Sequence, residues 1–197
     1  MKKLRISYNA PVILSFVLVC FIVTILGDVT NGFSTTYLFS ISRSSLISPL
    51  TYIRLLTHVF GHSGFEHFFG NTMYLLLLGP MLEEKYGSKV MLKVLLSTAV
   101  ITGLLHCLLW DKYYLYGASG VVFALILLSS FTAVKDGEIP VSFILVAMLY
   151  LGREVCNGVL IEDNVSNFTH IIGGIIGSVL GYRTNKKSYR KEIIGRR

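Results

Sequence analysis

The sequence predicts an all-α, polytopic membrane protein: a bundle of six membrane-spanning helices with both termini in the cytoplasm. Of its 197 residues, 53% are hydrophobic and 15% are charged, whereas soluble domains carry roughly 25% charged residues. The charges are grouped between long apolar runs, and a helix needs about 20 mostly apolar residues to cross a bilayer. Six runs fit at least marginally, at about 10–27, 67–82, 90–110, 117–134, 139–152 and 167–182.

The distribution of basic residues supports this topology. The net charge is +7, which in a soluble protein would suggest nucleic-acid binding. With a cytoplasmic N-terminus, six spans put 14 Lys and Arg residues inside and four outside, namely Arg43, Arg54, Lys112 and Arg153. Cytoplasmic loops carry this kind of excess, so the charge points to the lipid bilayer and not to nucleic acid. We expect one domain over residues 1–197, embedded as a multi-pass protein in a cell membrane.

Metal and disulfide chemistry are not predicted. His58 and His62 are four residues apart, as zinc ligands on a helix would be, but the His-Glu-x-x-His motif is absent. The three cysteines, Cys20, Cys107 and Cys156, are few and odd in number and have no metal-ligand spacing. We therefore expect no metal and no cofactor.

A serine in a small-residue turn opens the fourth predicted span. The N–H groups of a helix's first turn have no intrahelical acceptor, so the Ser119 N–H could hold an oxyanion, helped by the helix dipole. Gly117, Ala118 and Gly120 are small and would let a substrate backbone approach closely. The alternative is a helix N-cap serine in a glycine-rich turn. The Gly-x-Ser-x-Gly motif of soluble hydrolases is absent, because the fifth position is Val121.

A histidine shares a helix face with three glycines in the sixth predicted span. Gly173, Gly177 and Gly181 are four residues apart, and His170 lies on the same face. Small residues at this spacing let another helix pack closely, and Gly120 with Ala124 offers a matching surface on the fourth span. Such packing could bring His170 to the serine of that span. The alternative is a histidine that is hydrogen-bonded only for packing.

A second polar pair opens the second predicted span. His67 and Asn71 are four residues apart and share a helix face, and both can donate hydrogen bonds to a developing oxyanion. The alternative is an interfacial polar pair in a network with the preceding loop. That loop, residues 28–66, includes an amphipathic helical pattern from about Leu50, which we expect at the outer membrane surface.

Taken together, these motifs resemble the rhomboid proteases over about residues 50–181. The order is that of the family: Arg54 and His58, His62, His67-x-x-x-Asn71, Gly117-Ala118-Ser119-Gly120, and His170-x-x-Gly173-x-x-x-Gly177. The resemblance implies a six-helix fold, a water-filled site open to the outside, and cleavage of transmembrane protein substrates in or near the bilayer. No Asp or Glu lies deep within a predicted span, which favours a Ser–His dyad.

The implied chemistry assigns a role to each motif. Neutral His170 removes the proton of Ser119 as Oγ attacks the scissile carbonyl. The Ser119 N–H and the side chains of His67 and Asn71 hold the oxyanion. His170 then protonates the leaving amine, and water hydrolyses the acyl-enzyme.

Two positions depart from the family pattern. Ile53 stands where Trp is frequent, and Phe123 keeps the ring but not the hydroxyl of a Tyr that stacks on the catalytic histidine.

The alternative functions are a non-catalytic membrane chaperone that clamps helices and a small transporter, although no inverted repeat supports the latter.

Overall fold

The computed structural model describes residues 7–45, 47–110, 113–130, 138, 141–142, 144–149, 152 and 164–195, with side chains at all of these except 164–166 and 185–195. The helices delimited in these ranges are α1 (Pro11–Val29), α2 (Phe33–Leu38), α3 (Pro49–Thr57), α4 (Phe65–Tyr86), α5 (Ser88–Leu109), α6 (Ser119–Ser130) and α7 (Asn164–Gly195). An isolated antiparallel bridge joins Ile41 and Leu115. The all-helical prediction is confirmed.

The helices coincide with the predicted spans to different degrees. Two helices within the described ranges, α1 and α5, are long and apolar enough to cross a membrane, and α6 is apolar but shorter. The span predicted at 67–82 lies within α4. The span predicted at 167–182 lies within α7, which continues to Gly195. The span predicted at 139–152 lies largely outside the described residues, although 141–142, 144–149 and 152 are helical. Six spans with cytoplasmic termini therefore stay a prediction.

Helix α6 lies at the centre of the bundle. Its side chains are buried almost all around, with Val121, Leu125, Leu127 and Leu128 fully inaccessible. A helix that is apolar on every face is typical of the interior of a large protein or of a membrane bundle. α6 packs most extensively against α7 and also contacts α4 and α5. The helix that begins at Ser119 is therefore held from several sides.

The outer surface of the helices is apolar, whereas their inner faces carry polar groups. Leu18 and Ile22 of α1 and Leu77 of α4 are exposed. Conversely, Thr98 and Thr102 of α5 are buried, and the Thr102 hydroxyl donates to the Thr98 carbonyl oxygen at 2.7 Å. Large apolar surfaces of this kind mark contact with a membrane or a partner. This distribution is expected when the surface of the helix bundle contacts lipid.

A buried carboxylate joins the ends of three helices. Glu83, near the end of α4, accepts hydrogen bonds from the backbone N–H groups of Val12 and Ile13, each at 3.0 Å and each to a different oxygen. The Ser88 hydroxyl at the start of α5 donates to the same carboxylate at 2.7 Å. The first N–H groups of a helix need such acceptors, and the helix dipole favours a negative charge there. Glu83 thus fixes α1 against α4 and α5.

Candidate active site

The loop that leads into α6 is held by the long connection between α1 and α4. Ile41 and Leu115 exchange two backbone hydrogen bonds, of 2.9 and 2.8 Å, and the Gly117 N–H donates to the His58 carbonyl oxygen at 2.9 Å. Gly117 has a φ of +116°, a backbone conformation that favours glycine. The chain therefore enters α6 along a path fixed by backbone contacts.

Ser119 is the first residue of α6, as the sequence predicted. The first intrahelical bond runs from the Val122 N–H to the Ala118 carbonyl oxygen at 2.9 Å. Because Ser119 precedes Val122, its own N–H lies among the first-turn groups that have no intrahelical acceptor. This N–H is therefore available to an acceptor from outside the helix.

Helices α6 and α7 meet at glycines. A Cβ built on Gly173 would collide with the carbonyl oxygen of Gly120 and lie 3.1 Å from its Cα, and a Cβ on Gly177 would collide with the carbonyl oxygen of Ala124. Backbone contact of this closeness requires glycine on one helix. His170, one turn before Gly173, therefore lies beside the first turn of α6.

The ring of His170 is oriented by an aromatic side chain. It stacks on Phe123 of α6, with 4.4 Å between ring centroids and 3° between ring planes. The resemblance implied a ring at this position, and the stacking is present. A parallel stack fixes the plane of the imidazole, so its edge and its nitrogens are held in a defined direction.

Ser119 and His170 line the same cavity, whose volume is about 760 Å³. Both residues are half-buried. The other lining residues are Ser63, Gly64, Phe65, Glu66, His67, Gly70, Asn71, Leu115 and Tyr116. Residues from the ends of three helices, α4, α6 and α7, therefore come together although they are far apart in sequence.

His67 and Asn71 bring hydrogen-bonding groups to the same region. A Cβ on Gly117 would lie 3.0 Å from His67 Nε2 and 3.9 Å from Asn71 Nδ2. Asn71 is 7% exposed, and its Nδ2 has no hydrogen-bond partner among the described residues. A buried donor without a partner is costly, and a developing oxyanion would supply the missing acceptor.

Two loop histidines near the site are kept neutral by burial. Burial lowers the pKa of His58 to about 4, and burial together with the neighbouring His67 lowers the pKa of His62 to about 4. The Nδ1 atoms of these rings lie 3.1 Å from the Arg54 carbonyl oxygen and 3.0 Å from the Phe60 carbonyl oxygen. A carbonyl oxygen only accepts, so each Nδ1 carries the proton and each Nε2 is an acceptor.

No three His, Cys, Asp or Glu side chains converge as metal ligands would in the part of the chain that the structure describes. The expectation of no metal and no cofactor stays a prediction.

Of the small residues around Ser119, Gly117 lies beside the cavity and Gly120 lies in the contact between α6 and α7. Gly117 faces His67, whereas a Cβ on Gly120 would meet Thr169 of α7 at 3.2 Å. Gly120 therefore takes part in helix packing, and its role in substrate approach, like that of buried Ala118, stays a prediction. Gly181 is buried on α7, farther along the face that carries Gly173.

Sequence reasoning missed three features around the site. The Ser63 hydroxyl lies 3.3 Å from His67 Nδ1, and the four-residue spacing of this pair was a usable signal. Tyr116 and Glu66 line the cavity without belonging to any motif. The contact between Gly117 and the His58 carbonyl oxygen had no signal in the sequence, because backbone partners do not depend on side-chain type.

The fold and the site define a helical membrane protein with a serine and a histidine in one cavity. The Rhomboid domain model matches residues 49–187, and the chain belongs to the rhomboid family of integral membrane proteins. It is 31% identical over 166 residues to the rhomboid protease GluP of Bacillus subtilis (strain 168), covering 82% of this chain and 31% of GluP. It is 25% identical over 193 residues to the rhomboid protease GlpG of Yersinia pseudotuberculosis serotype I (strain IP32953), covering 93% of this chain and 66% of GlpG. The chain thus spans less than two thirds of the length of each of these relatives.

Proposed function

We propose that the chain is an intramembrane serine endopeptidase that hydrolyses peptide bonds in or near the outer ends of transmembrane segments. The observation that carries the proposal is the meeting of Ser119 and His170 in one cavity, with the His170 ring stacked on Phe123. Family membership supports the same reading, because both curated relatives are named as rhomboid proteases.

The chemistry follows from the placement of these groups. His170, in its neutral form, accepts the Ser119 proton while Oγ attacks the scissile carbonyl carbon, and later returns that proton to the leaving amine. Water then hydrolyses the acyl-enzyme, with His170 acting as the base again. Two residues carry the proton transfers, so the mechanism needs only a dyad.

The developing oxyanion has three candidate donors. The Ser119 N–H belongs to the first turn of α6, and the His67 and Asn71 side chains line the cavity beside Gly117. Pre-positioned donors stabilise the transition state without reorganising. Asn71 Nδ2 has no hydrogen-bond partner among the described residues, which favours this role over a purely structural one.

The substrate must expose a backbone carbonyl to be cut. An intact transmembrane helix bonds its carbonyls internally, so the substrate unwinds locally near its outer end, at small or helix-weakening residues. Ser119 is the first residue of α6, and His67 is the third residue of α4. In the proposed topology both helices begin at the outer side of the membrane, so we expect the substrate to be cut close to its outer membrane boundary.

The test is cleavage of a single-span model substrate by the protein reconstituted in liposomes. Ser119→Ala and His170→Ala should each abolish product formation, and the double variant should be no worse, because the two residues act as one unit. Mass spectrometry of the products should place the cut within a few residues of the outer boundary. Wild-type turnover by Ser119→Ala, or cuts at the cytoplasmic end, would refute the proposal.

We also propose that both termini are cytoplasmic and that residues 28–66 lie outside, so that the active site opens away from the cytoplasm of a cell membrane. The basic residues divide 14 to 4 across the six proposed spans. Single cysteines introduced into a Cys-free protein at Ser34 and near the C-terminus should be labelled from opposite sides. Labelling of both from the same side would exclude this topology.

A further inference from the structure

A second cavity adjoins the catalytic one. Its volume is about 410 Å³, and it shares Ser63, Gly64 and Tyr116 with the cavity of Ser119. It lies between the end of α1, the start of α2 and the turn that precedes α4. Its remaining lining residues are Thr24, Gly27, Asp28, Asn31, Gly32, Thr35, Thr36 and His62. A peptide that passes through the catalytic cavity can therefore place a side chain in this neighbouring one.

The second cavity is rich in hydrogen-bond acceptors. His62 is 3% exposed, and its Nε2 has no partner among the described residues. Since His62 Nδ1 donates to the Phe60 carbonyl oxygen, this Nε2 is an acceptor. The hydroxyl of Thr35, which is 7% exposed, likewise has no partner within the described part of the chain. Buried polar atoms without partners are costly, and an N–H donor that reached these two atoms from the cavity would satisfy them.

The charge of the two adjoining cavities is negative. Asp28 lines the second cavity and Glu66 lines the first, and no Lys or Arg is among the described residues that line either one. The whole chain has a net charge of +7, so this local excess of carboxylates runs against the overall balance. A cleft lined by one sign of charge attracts groups of the opposite sign.

No contact with the described residues explains why Asp28 is acidic. It is exposed and lies in the last turn of α1, which ends at Val29. A carboxylate at this end of a helix is disfavoured by the helix dipole. Its backbone carbonyl accepts the Asn31 N–H at 3.1 Å, a bond that any residue could provide. The acidic side chain is therefore better explained by what enters the cavity than by the stability of α1.

We propose that the second cavity is a substrate subsite that takes a basic side chain, Lys or Arg, located a few residues from the scissile bond. The cationic group would lie against the Asp28 carboxylate and donate to His62 Nε2 and the Thr35 hydroxyl. This specificity rests on the proposed protease function and adds a substrate class to it: membrane proteins with a basic residue near the outer end of a transmembrane segment.

The experiment uses the full-length protein in liposomes and a set of single-span substrates. Each substrate carries Lys, Ala or Glu at one position near the cut, and kcat/KM is measured for all. Lys should be preferred over Ala at one position. Because an exposed ion pair is worth up to about 1 kcal/mol, Asp28→Asn should reduce that preference by about threefold to fivefold. Asp28→Lys should make Glu the preferred residue there.

The matched control is Glu84→Gln, which also removes one carboxylate, from an exposed position near the far end of α4. It should leave the ratio of Lys to Ala substrates unchanged. Cleavage with no preference for Lys at any position, or with the same preference in Asp28→Asn, overturns the subsite but leaves the protease function standing. Absence of Ser119-dependent cleavage of every substrate overturns both.

Discussion

Gly173 of α7 lies directly against the backbone of Gly120 of α6, so that a methyl group at position 173 would collide with the Gly120 carbonyl oxygen. Gly120 follows Ser119, and Gly173 lies one helical turn after His170. The contact between the two glycines therefore sets the separation of the two proposed catalytic residues. The same faces of α6 and α7 therefore pack the two helices together and carry the proposed catalytic residues.

Substitution of Gly173 should destabilise the protein. Gly173→Ala adds one methyl group where no space exists, and overpacking of this kind costs about 1–3 kcal/mol. Gly70→Ala is the matched control, since a Cβ on Gly70 within α4 meets nothing within 4 Å, and alanine favours a helix by up to about 1 kcal/mol over glycine. Thermal unfolding in detergent should show a loss for Gly173→Ala only. Equal stability of the two variants would argue against the close packing.

Loss of the Glu83 carboxylate should loosen α1. Glu83→Gln keeps the shape but removes the charge and leaves one of the Val12 and Ile13 N–H groups without an acceptor. Leaving a buried donor unsatisfied costs about 1–3 kcal/mol, so the free energy of unfolding should fall by about this amount. The exposed neighbour Glu84→Gln should change it by less than about 0.5 kcal/mol. Wild-type stability of Glu83→Gln would show that the carboxylate does not fix α1.

Removal of the Asn71 amide should slow turnover and spare binding. A lost oxyanion donor typically reduces kcat by about 10²–10³-fold, and Asn71→Ala should fall in this range with little change in KM. Asn71→Asp, which keeps the size and removes the donor, should be similarly slow. A loss confined to KM in both variants would assign Asn71 to substrate binding.

Acid should destabilise the fold through His58. Its folded pKa of about 4 lies below the unfolded value of about 6.5, so the unfolded chain binds more protons between these pH values. Stability is therefore fully present above about pH 6.5 and is lost as the pH falls to about 4, by about 3 kcal/mol for this one residue. The stability difference between wild type and His58→Gln, measured by chemical unfolding, should change by this amount between pH 7 and pH 4. A difference that does not depend on pH would contradict a neutral, buried His58.

Side-chain patterns in the sequence predicted the longer helices but not the short α2, and they singled out four polar residues that line the cavity: His67, Asn71, Ser119 and His170. The runs of apolar residues located α1 and α5 closely, and the Gly-Ala-Ser-Gly turn correctly placed Ser119 at a helix start. The contacts made by Glu83 and Gly117 could not be predicted, because their partners are backbone groups of distant segments. Such partners leave no periodic or compositional signal, and they become visible only when the helices are assembled.

The most direct test of the account is covalent labelling of Ser119 by a fluorophosphonate probe, which reacts with an activated serine and not with an ordinary hydroxyl. The protein in detergent or liposomes should be labelled at Ser119, as located by mass spectrometry. Labelling should disappear in Ser119→Ala and fall strongly in His170→Ala, in which the serine lacks its base. Retention of full labelling at Ser119 in His170→Ala, or absence of labelling in a folded wild-type protein, would contradict the dyad.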